Sequence, residues 1–299
     1  MFKRTWVTNM RIIEYCISKI DSGKTIERFL KSKGYSSALI TNLKKLENGV
    51  LLNETPVFVV SKLNVGDVLK VSIADEEESE NITPCDLGYP VLYEDEDYIV
   101  YDKPAGVVVH PTKIYQSHTI GNDFIYRCNM RGESAVFRPI YRIDRNTSGI
   151  VVIAKNKLSS ATKIDKDYVC ICYGQLDEQG CFDQPIGLSD GSKIKRTIRS
   201  DGQSALTEYK RIAYNSGFSL ALVKLHTGRT HQIRTHFSCN GFSLVGDTLY
   251  GSELQPMERH ALHCAKVQFK HIVTDKTITI ESKLPQDMDF FLKKNNISY

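Results

Sequence analysis

Arg142-Ile143-Asp144-Arg145-Asn146-Thr147-Ser148-Gly149 runs directly into Ile150-Val151-Val152-Ile153. The unbroken run of β-branched apolar residues reads as a buried strand. The polar segment before it must then be a loop at the edge of a core, and it carries Asp144. Asn146, Thr147 and Ser148 can hydrogen-bond their own backbone and hold that loop in one shape. Arg142 and Arg145 flank the carboxylate, where they would attract phosphate or stabilise an anion. On the residues alone the segment is either a salt-bridged structural loop or a reactive carboxylate among cations.

Working outward, the second informative stretch is Leu225-His226-Thr227-Gly228-Arg229-Thr230-His231-Gln232-Ile233-Arg234-Thr235-His236-Phe237. A strand ends at Gly228, and Thr230 is expected to cap the helix that follows. Arg229 beside a helix start makes an anion site. Ile233 and Phe237 share one helix face, and Arg234 borders it, where a buried acid would need a partner. Further strands are expected at 98–101, 107–110, 149–154, 168–173, 219–225 and 277–280. The first two are expected to form a hairpin about Lys103-Pro104-Ala105-Gly106. Strands with interspersed helices give an α+β class with a mixed, largely antiparallel sheet.

The N-terminal part has a different texture. Ile26, Phe29 and Leu30 sit at helical spacing, and Leu39, Leu43 and Leu46 repeat it, with a stop at Asn48-Gly49. Strands follow at 50–52, 57–60 and 68–73, with a turn at Asn53-Glu54. Residues 1–74 hold 12 Lys/Arg against 6 Asp/Glu, although the whole chain is only +4. Asp75, Glu76, Glu77, Glu78 and Glu80 then read as an acidic, solvated connector. This divides the chain into a small basic α/β module, 1–80, and a larger domain, 86–299. The eight cysteines lack paired C-x-x-C spacing and read as reduced thiols. No apolar run is long enough to span a membrane, and the start does not resemble a signal peptide, so the cytoplasm is the expected location.

Six ordered segments together resemble the RluA-type pseudouridine synthase family. Residues 141–149 are similar to its H-R-L-D-x-x-T-S-G motif, and 103–111 to its K-P-x-G-x-x-x-H-P motif. Lys166-Asp167-Tyr168 resembles K-x-Y, and Thr227 to His236 resembles T-G-R-x-H-Q-I-R-x-H. Gly246-Asp247-Thr248-Leu249-Tyr250-Gly251 and Arg259-His260-Ala261-Leu262-His263 complete the series. The resemblance implies the pseudouridine synthase catalytic fold and isomerisation of uridine in RNA. It makes Asp144 the catalytic carboxylate, Arg234 its ion-pair partner, and Tyr168 and Ile233 the walls against an extruded base. Tyr141 stands where the family commonly has His, and Ile143 where it has Leu.

The N-terminal module resembles the S-four-like RNA-binding domain. It lacks the Arg usual near Ser36-Ser37-Ala38, which leaves Lys44 and Lys45 as its candidate phosphate contacts.

RNA is the implied partner, with large-subunit ribosomal RNA the expected substrate and transfer RNA the alternative. Arg142, Arg145 and Arg229 are the expected phosphate contacts. Lys193, Lys195, Arg196 and Arg199 form a further basic stretch that is either an RNA contact or a solvated loop. No cofactor, metal or obligatory protein partner is expected. A zinc enzyme using His231, His236, Cys239, His260, His263 and Cys264 is the less favoured rival, because their spacing fits no compact zinc pattern. A non-catalytic RNA-binding or ribosome-assembly protein is the rival of another class.

Overall fold

The computed structural model describes residues 10–74, 82–133, 135–251 and 256–298. The acidic connector at 75–80 and the N-terminal Met1 to Trp6 lie outside the described residues.

Residues 10–74 build a unit with its own core. Strand β1 (Met10–Cys16) is followed by α1 (Ile26–Ser32), α2 (Ser37–Leu43), β2 (Val50–Leu52), β3 (Thr55–Pro56) and β4 (Val68–Ala74). The strands form an antiparallel sheet in the order β1-β4-β2-β3. Ile26, Phe29 and Leu30 of α1 and Leu39, Ile40 and Leu43 of α2 pack on Ile13, Leu69, Val71 and Ile73 of the sheet. Thr25 and Ser36 cap the two helices, each accepting a backbone N–H.

Two expectations fail here. Helix α2 ends at Leu43, short of Leu46. The strand expected at 57–60 is replaced by the two-residue β3, and Phe58 and Val60 are exposed. Apolar residues in so short a run carry no reliable period.

The larger unit is organised by β8 (Ser148–Ala154), every residue of which is buried. Before it come β5 (Val91–Glu94), β6 (Tyr98–Lys103), α3 (Ile120–Met130) and β7 (Arg138–Pro139). After it come β9 (Ile164–Tyr173), β10 (Gln179–Asp183), β11 (Ile186–Leu188), β12 (Arg196–Ile198), β13 (Leu206–Asn215) and β14 (Phe218–Leu225). The chain closes with α4 (Gln232–Cys239), β15 (Leu262–Lys270), β16 (Thr277–Glu281) and α5 (Gln286–Lys294). The central sheet runs β10-β13-β14-β9-β15-β8-β6-β5, with β16 on β15 and β7 on β8, while β11 and β12 pair separately. Its pairs are antiparallel except β15 with β8, which is parallel. The expected mixed, largely antiparallel α+β architecture is the one observed.

Strand alternation divides the core into layers. Ile150 and Val152 share a cluster with Tyr168, Cys170, Val223, Ile233 and Phe237, on the side of α4. Val151 and Ile153 face the other way, onto Ile120, Phe124 and Cys128 of α3. Helix α5 covers Ile171 and Leu220 through Met288, Phe291 and Leu292. The two units touch through Arg11, which bonds both oxygens of Asp97 at 3.1 Å. Leu158, Ile272 and Val273 also pack on the N-terminal core.

Residues 107–110 are not a strand, so the expected hairpin with β6 does not form. Lys103, fully buried, instead donates to the carbonyls of Pro104, Val107 and Arg145 at 2.9, 2.8 and 3.0 Å. The ammonium folds this segment back onto the loop that carries Asp144.

Gly149 sits where β8 meets β15. Its φ is +106°, and a Cβ there would lie 2.2 Å from the Cys264 carbonyl oxygen. Gly149→Ala is therefore expected to lower unfolding free energy by about 1–3 kcal/mol, through backbone displacement at the parallel pair. Urea denaturation measures this, and an unchanged midpoint would contradict the close approach.

Candidate active site

The loop of Asp144 is built by local and distant bonds together. Thr147 N–H donates to the Asp144 carbonyl at 3.1 Å, closing a tight turn. Three residues from one distant segment then grip the loop. Arg259 donates to the Asn146 carbonyl at 3.1 Å, His260 pairs with the Thr147 hydroxyl at 2.8 Å, and His263 with the Ser148 hydroxyl at 3.0 Å. Burial, with the Arg234 charge adding to it, lowers the His260 pKa to about 3, so this imidazole acts as a neutral hydrogen-bonding group.

Asp144 opens into a cavity of about 580 Å³ lined also by Tyr141, Arg142, Lys166, Tyr168, Arg229, His231, Ile233 and Arg234. Its Oδ2 lies 3.1 Å from Arg234 Nη1 and 3.9 Å from His231 Nε2. Arg234 turns its other edge to Asp247, with Nε at 2.7 Å and Nη2 at 2.8 Å from the two carboxylate oxygens. Its guanidinium also stacks on the Tyr250 ring, 4.9 Å from the centroid. Asp247 is itself held by the backbone N–H groups of Leu249 and Tyr250. Burial would lower the Arg234 pKa, but the hydrogen bonds and charge of Asp247, with Asp144, raise it. Burial would likewise raise the Asp247 pKa, and Arg234 outweighs that and holds it below the usual carboxylate range. With Asp247 held by Nε and Nη2, Nη1 is free to donate to Asp144.

Tyr168 is 5% exposed on β9, and burial pushes its phenol pKa far up, so it presents a neutral ring. Tyr141 donates its hydroxyl proton to the Ile150 carbonyl at 2.9 Å, with the Lys166 ammonium 4.8 Å from its ring centroid. The unusual Tyr is thus part of the cavity wall.

Asp144, Tyr168, Ile233, Arg234, Arg142 and Arg229 therefore converge on one cavity. Arg145 does not join them. Its guanidinium stacks on Tyr115, 5.2 Å from the centroid, and bonds the Tyr115 hydroxyl. Lys44 and Lys45 lie exposed at the end of α2 in the N-terminal unit. The expected cap at Thr230 is replaced by His231, in the left-handed region at φ 58° and making no side-chain cap. Gln232 takes over the polar work, accepting the Arg229 N–H at 2.9 Å.

Of the basic stretch at 193–199, Arg199 is paired to Asp190 and Asp201. The rival zinc set does not converge. His236 bonds Thr207 and the Gln184 carbonyl, while His260 and His263 bond the Asp144 loop. Among the described residues the group whose donor atoms do converge is Asp95, Asp97 and His271, and there Arg11 and Asn156 already bond Asp97.

Sequence reasoning assigned no role to Asp247, Tyr250 or Arg259, and placed His231 and His260 only in the rival zinc set. Their motifs were visible, but which acid neutralises Arg234 depends on a long-range approach that spacing does not encode. The available signal was chemical: an arginine on an apolar helix face needs its donors satisfied.

A family model described as RNA pseudouridylate synthase matches residues 97–239, a span containing Asp144, Tyr168, Ile233 and Arg234. The uncharacterized RNA pseudouridine synthase YjbO of Bacillus subtilis is 34% identical over 281 residues, covering 91% of this chain and 99% of its own. Ribosomal large subunit pseudouridine synthase D of Zymomonas mobilis is 34% identical over 286 residues, covering 88% of this chain and 87% of its own. The solved structure of human RNA pseudouridylate synthase domain containing 4 superposes with a TM-score of 0.57. It covers 70% of this chain and 94% of that one, at 20% identity, which shows a shared fold.

Proposed function

Because the chain belongs to the RNA pseudouridine synthase family and so isomerises uridine in RNA, we propose that Asp144 is its catalytic carboxylate and large-subunit ribosomal RNA its substrate. The observation that carries the first part is the Asp144 carboxylate, 3.1 Å from Arg234, on the cavity that Tyr168 and Ile233 also line. The second part draws on the name of the Zymomonas mobilis relative.

The reaction breaks the ribose bond to uracil nitrogen 1, forms one to carbon 5, and exchanges a proton from carbon 5 for one on nitrogen 1. A carboxylate supplies both capacities this needs, nucleophile and proton acceptor, without a cofactor. The target base must leave its stack to reach the cavity, and the faces of Tyr168 and Ile233 offset part of that cost. Tyr168 keeps its proton, so the ring offers a neutral surface to the pyrimidine. Arg234, anchored by Asp247, orients the reacting oxygen before substrate arrives.

Arg142 and Arg229 on the cavity rim, Arg145 beside Tyr115, and Lys44 and Lys45 of the S-four-like N-terminal unit contact the RNA backbone in this reading. Arg142→Ala and Arg229→Ala are expected to weaken RNA binding across sequences and lower the salt-dependence slope by about one each. Filter binding over a salt series checks this; an unaltered slope excludes the phosphate contact. The enzyme works in the cytoplasm, with its RNA. Among the described residues no helix is long and apolar enough to cross a membrane.

The direct test uses transcripts labelled with tritium at carbon 5 of uridine. Release from large-subunit ribosomal RNA but not from transfer RNA supports the reading. Release from transfer RNA alone overturns the substrate assignment.

A further inference from the structure

His231 is held in an uncommon way. It occupies the left-handed region at φ 58°, where residues other than glycine are rare, and it starts α4 without capping it. Its ring instead spans two groups: Nδ1 lies 2.9 Å from the Tyr250 hydroxyl, and Nε2 lies 3.9 Å from Asp144 Oδ2. Tyr250 already accepts the Arg196 N–H at 2.8 Å and supports the Arg234 guanidinium with its ring.

We propose that His231 is a positioning residue for the reaction, a neutral imidazole whose Nε2–H closes on Asp144 when uridine enters the cavity. The tautomer follows from the neighbours. Tyr250, whose oxygen takes the Arg196 N–H, can give its own proton to Nδ1, and the carboxylate facing Nε2 favours the tautomer with the ring proton there. The alternative tautomer would turn an imidazole lone pair toward the carboxylate, which is repulsive. Burial lowers the His231 pKa, with Arg234 adding to it against the pull of Asp144, and this favours the neutral ring. Arg234 and His231 both address Oδ2, which leaves Oδ1 to meet the substrate. Catalytic hydrogen bonds are often long in an empty site and shorten in the complex, which suits a gap of 3.9 Å. Strain at φ 58° is the cost of placing one ring between Tyr250 and Asp144.

The inference rests on Asp144 being the catalytic carboxylate, and two variants separate it from a structural role. His231→Asn is at ease in the left-handed region and can still accept the Tyr250 proton, but its amide is too short to reach Asp144. His231→Gln places an N–H near the position of Nε2. Full-length enzyme in excess is mixed with total RNA, tritiated at uridine carbon 5, from cells lacking the enzyme. The single-turnover rate of tritium release is then followed against enzyme concentration.

His231→Asn is expected to slow the maximal rate about 10–100-fold, the range typical of groups that orient a reactive ligand, with an unchanged melting temperature. The concentration giving half the maximal rate should stay within about twofold of wild type. His231→Gln is expected to recover most of the rate. An Asn variant as fast as wild type, or a Gln variant as slow as Asn, overturns the proposal. Wild-type enzyme releasing no tritium would overturn the functional reading beneath it, and the inference with it.

Discussion

Asp144→Asn is expected to abolish tritium release while leaving the fold and the RNA affinity intact. The amide is nearly isosteric with the carboxylate but is neither a useful nucleophile nor a base. Loss of a group on which the chemistry depends costs on the order of 10⁴-fold or more in rate. Stability should change little, because Arg234 keeps its two bonds to Asp247 at 2.7 and 2.8 Å. The replacement removes one of the two carboxylates that now share a single guanidinium. RNA affinity should hold, because phosphate attraction comes from other side chains, Arg142 and Arg229 on the rim among them. Tritium release and filter binding on the same preparation decide the matter. An active Asp144→Asn enzyme means the assigned carboxylate is wrong.

Asp247→Ala is expected to damage both stability and rate. Asp247 is 2% exposed, and its two bonds to Arg234 form the inner half of the relay Asp247–Arg234–Asp144. Removing one member of a buried ion pair leaves an uncompensated charge and costs about 3–5 kcal/mol. The freed guanidinium has one remaining acid within reach, Asp144, and turning toward it would occupy the oxygen meant for substrate. A fall in rate of about 10–100-fold should accompany the loss of stability.

The effect depends on pH in a definite direction. The folded-state pKa of Asp247 is depressed, so its stabilisation is present above the ordinary aspartate value of about 3.9 and is lost as pH falls through the folded value. Wild type should therefore lose stability faster than Asp247→Ala as pH drops below about 4. Urea unfolding of both proteins at about pH 7 and about pH 3 tests this. A constant difference between them would show that the pair contributes nothing electrostatic.

How far the sequence could be read follows the range of the interactions involved. Strand β8 was legible because four β-branched residues in a row have few other uses. The Asp144 loop was legible because Asn146, Thr147 and Ser148 act on their own backbone. The strand expected at 107–110 failed because a buried Lys103 claims the Val107 and Arg145 carbonyls, and nothing local announces that ammonium as buried. The cap expected at Thr230 failed because His231 answers to Tyr250 and Asp144 rather than to the helix. Arg145 was expected beside Asp144 from adjacency in the chain, but its guanidinium is drawn to Tyr115, thirty positions earlier in the segment before α3.

From the sequence came the α+β class, the ordered motifs and, through the resemblance those short motifs carry, the candidacy of Asp144, Tyr168, Ile233 and Arg234. Only the tertiary structure decided that Arg234 is shared with Asp247, that Arg259, His260 and His263 grip the Asp144 loop, and that His231 faces the carboxylate. Those pairings join residues up to 115 positions apart. They arise because the parallel approach of β15 to β8 and the docking of α4 bury polar groups that must then find partners.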